Sequence, residues 1–408
     1  MKETKFILLI SVNFPPEPVV AASLSGALAV ALSADRKVRV LSPEPSRPLG
    51  FTFRNSTSRG KTYEHVVVDS FTCPNSTIAG RMVESFSFGT HASRHIKKYR
   101  DSIQCCYVAA WPLLAQFIII RTLKKYSIPS VVHIQDIYPE SLTNRIPLLG
   151  NLVKQILLPF DRYVLKNSTR VIAISKNMRN NFIQTRGVAA DKIEIIENWK
   201  DEEEFLIRNK YGESDWKNKI KPGSFVFMYL GNIGPVAGVD LLIRSFANAD
   251  IKDSTLVIAG CGPAKKECMR LAETIIRSDI KFWEVPSGEM PAVQEIADVM
   301  LLPVKSGAGM SSVPSKLLAY MFSAKPVIAC VDEKSDTATA VKEAGCGWVL
   351  PPENIGILAE TMKKVASHQN VNLKIYGENG LRYATQFYSS KRNLPKLVSA
   401  IARAEACL

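Results

Sequence analysis

The chain is expected to be an α/β protein of two doubly wound domains, and three observations carry that expectation. Its 408 residues are too many for one hydrophobic core and suit two domains of about 200 residues each. Short β-branched runs alternate with helix-like stretches along both halves, the rhythm of parallel sheets covered by helices on both faces. An acidic, lysine-bearing stretch, 201–223, ending in Pro222 and Gly223, separates the halves and reads as a linker.

In the first half, residues 1–200, strands are expected at 6–12, 38–41, 65–69, 105–109, 130–134, 170–174 and 193–196. Between the first two lies AASLSGALAVALSA, small enough to pack tightly on a sheet as a helix. The second domain, 224–385, repeats the pattern with strands at 224–230, 255–259, 280–284, 299–302 and 326–329 and helices at 239–248, 265–278 and 355–367. Two such domains in series place a cleft between them, and in doubly wound sheets ligands bind beyond the carboxyl ends of the strands. Function is therefore sought in the loops that directly follow strands.

Composition narrows the class. The chain is 46% apolar and 22% charged, the profile of a globular protein. The apolar run near the start lasts only from Phe6 to Val12 and reads as a first strand rather than a signal peptide. No segment reaches the roughly 18 uncharged apolar residues of a membrane span. The eight cysteines form no C-x-x-C pair and several sit in apolar runs, which fits reduced, buried thiols in a cytoplasmic protein. Charge is asymmetric: the first 200 residues stand at +13 and the remainder at +1, adding to the net +14. So basic a half favours an anionic partner such as a lipid surface or phosphorylated carrier. Nucleic acid is disfavoured, because the basic residues are dispersed and not interleaved with aromatics.

Three loops after strands of the second half are poor in side-chain bulk. The first, GNIGPVAGVDLL, holds Gly231, Gly234 and Gly238 ahead of a helix; the second holds Gly260 and Gly262. Glycine lets backbone approach a ligand, and a helix start offers free N–H groups with partial positive charge, an arrangement suited to phosphate. The third runs from Ser306 through Gly309, Met310, Ser311 and Ser312 to Pro314. A helix is expected to begin with Pro314 at its first position and a Ser312 oxygen beside its first turn. Ser315 and Lys316 then fall in that turn, where lysine opposes the helix dipole unless an anion is shared between them.

Taken together, these residues resemble the donor half of glycosyltransferase family 4, which has the GT-B fold: two Rossmann-like domains facing a central cleft. The likeness rests on the order G-N-I-G, L-V-I-A-G-x-G-P, A-D-V-M-L-L-P, V-P-S-K-L-L-A-Y-M and K-P-V-I-A. It is nearest to bacterial enzymes of O-antigen, capsule and other surface polysaccharide assembly. The first half agrees through Phe14-Pro15-Pro16-Glu17-Pro18, Gln135-Asp136-Ile137-Tyr138-Pro139-Glu140 and Ile196-Glu197-Asn198-Trp199.

The resemblance implies a retaining, metal-independent transferase that takes a nucleoside diphosphate sugar, UDP-linked on this reading, as co-substrate and needs no cofactor. The acceptor would be a lipid-linked saccharide at the cytoplasmic face of the inner membrane, with the protein peripheral to it. Lys316, Ser315 and the backbone of Gly231, Asn232 and Gly234 would meet the diphosphate, with Gly260 and Gly262 beside them. Glu284 and Val285 would lie near the base, and Gly309, Met310, Ser311 and Ser312 near the donor sugar. In the first domain Asp136 and His133 would face the acceptor hydroxyl, as general base or orienting group. Helical residues 386–408 would cross back onto the first domain.

The sequence also departs from the wider family. Its two glutamates eight positions apart are Ser311 and Ala319 here, and its usual Arg and Lys of the first glycine loop are Asn232 and Ala237. Two other readings stay open: a GT-B-like sugar-nucleotide epimerase, and a catalytically silent scaffold subunit of a polysaccharide assembly complex.

Overall fold

A computed structural model describes residues 5–47, 62–75, 77–109, 113–143, 150–206, 216–235, 237–275, 279–286, 288–307, 313–367 and 372–407. The chain divides into two compact units. Unit 1 comprises Met1–Asn198 with Asn393–Leu408, and unit 2 comprises Trp199–Arg392.

Unit 1 holds seven strands: β1 (Phe6–Ser11), β2 (Val38–Pro43), β3 (Glu64–Val68), β4 (Ile103–Ala109), β5 (Ser130–Ile134), β6 (Arg170–Ala173) and β7 (Ile193–Ile195). They pair in parallel in the order β3-β2-β1-β4-β5-β6-β7. The order reverses between β1 and β4, so the loops after those strands flank the crevice where such sheets bind ligands. The interior strand β1, FILLIS, is buried along its whole length, as a strand covered on both faces must be. Leu8, Ile10, Val108 and Val132 pack with Phe88 and Ile119 from the helices Ile78–Tyr99 and Leu113–Lys125. Thr77 caps the first of these helices by accepting from the Gly80 N–H, and Lys97 and Lys98 sit favourably in its last turn. Residues 393–408 are tied to this unit by ion pairs of Arg403 with Glu194 and of Glu405 with Arg36, both at 2.5 Å.

Unit 2 holds six strands: β8 (Phe225–Leu230), β9 (Ser254–Ala259), β10 (Ile280–Trp283), β11 (Val299–Pro303), β12 (Val327–Cys330) and β13 (Gly347–Leu350). Their order is β10-β9-β8-β11-β12-β13, all parallel, with the reversal between β8 and β11. Side chains alternate between two cores: Val226, Met228 and Leu230 enter one, and Phe225, Phe227 and Tyr229 the other. That alternation is what helices on both faces require.

Three details differ from the sequence expectation. Strand β13 went unforeseen: it is four residues long, begins with glycine and is only half-buried, so it lacks the apolar run that marks the others. Part of the stretch read as linker belongs to unit 2, because Phe205 and Ile220 are buried in its core and Phe205 stacks on Phe322 with ring centroids 5.7 Å apart. Cys261 and Cys407 are exposed, while the other six cysteines are buried; all eight are free thiols. Among the described residues no helix is long and apolar enough to cross a membrane.

Phe205→Ala should lower the stability of unit 2 by about 3–5 kcal/mol. Urea unfolding followed by tryptophan fluorescence reads this directly, since four of the five tryptophans (Trp199, Trp216, Trp283 and Trp348) lie in unit 2. An unchanged midpoint would mean that Phe205 is linker after all.

Candidate functional site

In unit 2 the site starts where β8 and β11 part. Their pairing is confined to Val299 with Phe227 and Met300 with Met228, so Leu230 lies beyond the ladder. Its backbone groups are instead met by one side chain: the Tyr320 hydroxyl accepts from the Leu230 N–H at 3.1 Å and donates to the Leu230 carbonyl at 2.9 Å. Tyr320 belongs to the helix Ser315–Phe322, and Lys316 stands four residues earlier on the same face.

Lys316 lies across the turn that follows β8. A Cβ on Gly231 would stand 2.3 Å from Lys316 Cε, and Gly231 has φ +155, so only glycine leaves room for this side chain. Lys316 Nζ donates to the Tyr229 hydroxyl at 2.5 Å and stands 4.6 Å from that ring's centroid. Tyr229 in turn donates to the Asn232 carbonyl at 2.6 Å, which ties lysine, strand end and glycine loop into one chain of contacts. Burial lowers the Lys316 pKa to about 8, because desolvation penalises the ammonium.

The other sequence-predicted donor residues distribute unevenly. Gly260 and Gly262 pack against the Gly231 and Ile233 carbonyls, where a Cβ would come within 2.1 and 2.3 Å. Their absent side chains let the loops after β8 and β9 lie together, joined by the bond from Ile233 N–H to the Cys261 carbonyl at 2.8 Å. Gly234 meets no such constraint: a Cβ there would make ordinary contact, 3.4 Å from Asn232 Nδ2. Asn232 itself is exposed and Ala237 is buried. Glu284, just past β10, is exposed and paired with Lys265 at 2.7 Å, which holds its carboxyl below the usual value; Val285 packs partly into the core. The helix begins one residue later than expected: Pro314 is the N-cap, without a side-chain cap bond, and Ser315 is the first helical residue. Ser315 and Lys316 thus do occupy the first turn, where the Leu317 N–H already donates to the Pro314 carbonyl at 2.9 Å. Ala319 is buried in the core. Gly309, Met310, Ser311 and Ser312 lie outside the described residues.

In unit 1 a cavity of about 320 Å³ opens beside the ends of β4 and β5, lined among others by Asn13, Gln116, His133, Gln135, Asp136 and Asp161. His133, on β5, is buried, and its Nδ1 shares a 2.7 Å hydrogen bond with the Tyr107 hydroxyl. Its Nε2 is buried without a partner. Burial lowers its pKa to about 4, so the ring is neutral at pH 7 and too weak a base to take a proton efficiently. It suits the orienting role better than that of base. Asp136, two residues past β5, is exposed.

Asp161 was not singled out from the sequence. It sits in the helix Gly150–Asn167, buried, and Arg186 Nε donates to it at 2.7 Å. Burial pushes its carboxyl up to about 6 against the opposing pull of Arg186. Burial also raises the nearby Glu140 carboxyl, but hydrogen bonds and charge from Arg186 outweigh it and carry that pKa down. The sequence held a readable signal: Asp161 falls four residues after Leu157 and three before Val164, a carboxylate on the core-facing stripe of an amphipathic helix.

Comparison with known proteins completes the assignment. Residues 23–204 match the profile described as Glycosyltransferase Family 4, and residues 211–398 that described as Glycosyl transferases group 1. The chain is 26% identical to WcaI of Escherichia coli (strain K12), named for colanic acid biosynthesis and glycosyl transfer, over 76% of this chain and 79% of that protein. It is 22% identical to WbjE of Pseudomonas aeruginosa, named as a glycosyltransferase, over 71% of each. In fold it is similar to WaaG, a glycosyltransferase involved in lipopolysaccharide biosynthesis, with TM-score 0.69 and 17% identity, covering 97% of this chain and 99% of that one. Anabaena HepE in complex with UDP and glucose gives TM-score 0.68 and 16% identity, with 97% and 99% covered. With one profile in each half of the sequence and two Rossmann-like sheets of matching fold, the chain belongs to the GT-B glycosyltransferases of family 4.

Proposed function

We propose that the chain is a retaining transferase that moves a hexosyl or acetamidohexosyl group from a UDP-sugar to a lipid-linked saccharide in surface polysaccharide biosynthesis. The observation that carries this reading is the seating of Lys316: a half-buried ammonium at the first turn of a helix, laid over Gly231 at the strand-order reversal. A leaving nucleoside diphosphate gains negative charge as the glycosidic bond breaks. Lys316 and the helix start supply fixed positive charge for it, so on this reading no metal is called for. The names of WcaI and WaaG, and the UDP and UDP-glucose complexes of HepE, support the substrate class and the setting.

On the acceptor side, Asp136 is the group proposed to take the hydroxyl proton, while neutral His133 orients that hydroxyl. The +13 balance of residues 1–200 favours attachment to the anionic cytoplasmic face of the inner membrane. One observation favours a second reading. Ala319 is buried where the wider family carries a glutamate, as in a catalytically silent scaffold.

Incubation with a panel of nucleotide sugars and lipid-linked saccharides separates the two. Transfer by the wild type that falls about 10²–10³-fold in Lys316→Ala, and that persists in a metal chelator, supports the transferase. Neither transfer nor nucleotide binding with any donor would leave the scaffold.

The pH dependence has a definite sign. Lys316 loses its charge as pH rises through about 8, and a bound diphosphate favours the charged form. UDP affinity should therefore be level below that pH and fall by up to about tenfold per pH unit above it. Lys316→Arg, charged throughout, should flatten the calorimetric profile; an equal fall in that variant would assign the titration to another group.

A further inference from the structure

Three polar side chains around the unit 1 cavity are incompletely satisfied. His133 Nε2 and Gln135 Nε2 are buried without hydrogen-bond partners. Among the described residues, Arg186 is the one hydrogen-bonding partner of Asp161, through a single carboxylate oxygen. Buried polar groups left unmade cost free energy, so their convergence on one cavity points to a ligand that completes them.

The chemistry of that ligand follows from the groups themselves. An ionised carboxylate only accepts hydrogen bonds, and the Gln135 amide nitrogen only donates. A hydroxyl does both, so one hydroxyl bridges an acceptor and a donor. A fully ionised phosphate only accepts, and here its negative charge would face the carboxylates of Asp161 and Asp136. Arg186 offers it no relief, because all five of its N–H groups are committed. Nε serves Asp161, Nη1 serves Glu140 and the Thr185 hydroxyl, and Nη2 serves Glu140 and the Tyr138 carbonyl, at 2.5 to 3.0 Å. A volume of about 320 Å³ suits a small polar ligand.

We propose that this cavity is a subsite for an uncharged saccharide ring of the acceptor, and that Asp161, held in place by Arg186, is the carboxylate that accepts a hydrogen bond from a ring hydroxyl. The assignment rests on the reading of unit 1 as the acceptor side. It makes Asp161 a specificity-determining residue and Arg186 its positioning residue, with Gln135 the complementary donor.

Octyl glycosides of glucose, galactose and N-acetylglucosamine serve as probes, with octyl phosphate as the anionic control. Asp161→Asn keeps an oxygen for Arg186 but can turn an NH₂ toward the cavity. It should raise the glycoside KM about tenfold or more while kcat changes less, with UDP affinity kept. Gln135→Leu, which leaves the Arg186 network intact, should move KM in the same direction and shows that the effect does not come from misfolding. An unchanged KM in both variants, or octyl phosphate competing as well as the glycosides, overturns the subsite. So does wild type that binds UDP but neither binds the glycosides by saturation-transfer NMR nor uses them. Loss of UDP binding and of all transfer by the wild type would instead overturn the transferase reading itself.

Discussion

The candidate site of unit 2 depends on the point at which β8 stops pairing with β11. Past Met228 the strands part, which strands the amide and carbonyl of Leu230 in a buried place where unpaired backbone is costly. The Tyr320 hydroxyl meets both, and doing so fixes the rotation and height of the helix Ser315–Phe322. Lys316, one turn earlier, is thereby delivered onto Gly231. A requirement of backbone satisfaction thus places the principal cation of the site, and the glycine is what that placement demands of the sequence.

Unit 1 reaches its geometry by a different device. There a guanidinium with every N–H engaged acts as a rigid fitting between Glu140, Asp161 and the Tyr138 carbonyl. It anchors the end of the segment after β5 to the helix Gly150–Asn167, and so fixes the carboxylate and the loop that line one cavity. Buried ion pairs of this kind contribute little net stability; their value here is in orientation. The two halves of the chain therefore prepare polar groups in opposite styles, a partly desolvated lysine in one and a saturated arginine in the other.

Much of this was legible in the residues. Twelve of the thirteen strands announce themselves by apolar, β-branched runs, and β13 escaped because a short half-buried edge strand opening with glycine carries little such pattern. The small-residue loops and Lys316 were found because glycine and a misplaced charge leave marks in sequence. What those glycines do was less readable: Gly260 and Gly262 accommodate neighbouring carbonyls, a three-dimensional fact that spacing does not encode. Tyr229, Tyr320 and Arg186 were missed for the same reason, since each acts on a partner between 3 and 90 positions away. Asp161 was different, for its place on an apolar stripe was visible and only its partner was not.

The division of the chain into units has a consequence for how the protein is made. Unit 2 is one uninterrupted segment, Trp199–Arg392, whereas unit 1 is closed by residues 393–408, among them the buried Leu397, Ala400, Ile401 and Ala404. A ribosome delivers chain from the amino end at about 5–20 residues per second, so the first domain to be synthesised waits for its closing helix until the whole of the second has emerged. During that interval the apolar surface this helix will cover is open to water. The cell must tolerate an unfinished first half while the second half folds on its own schedule.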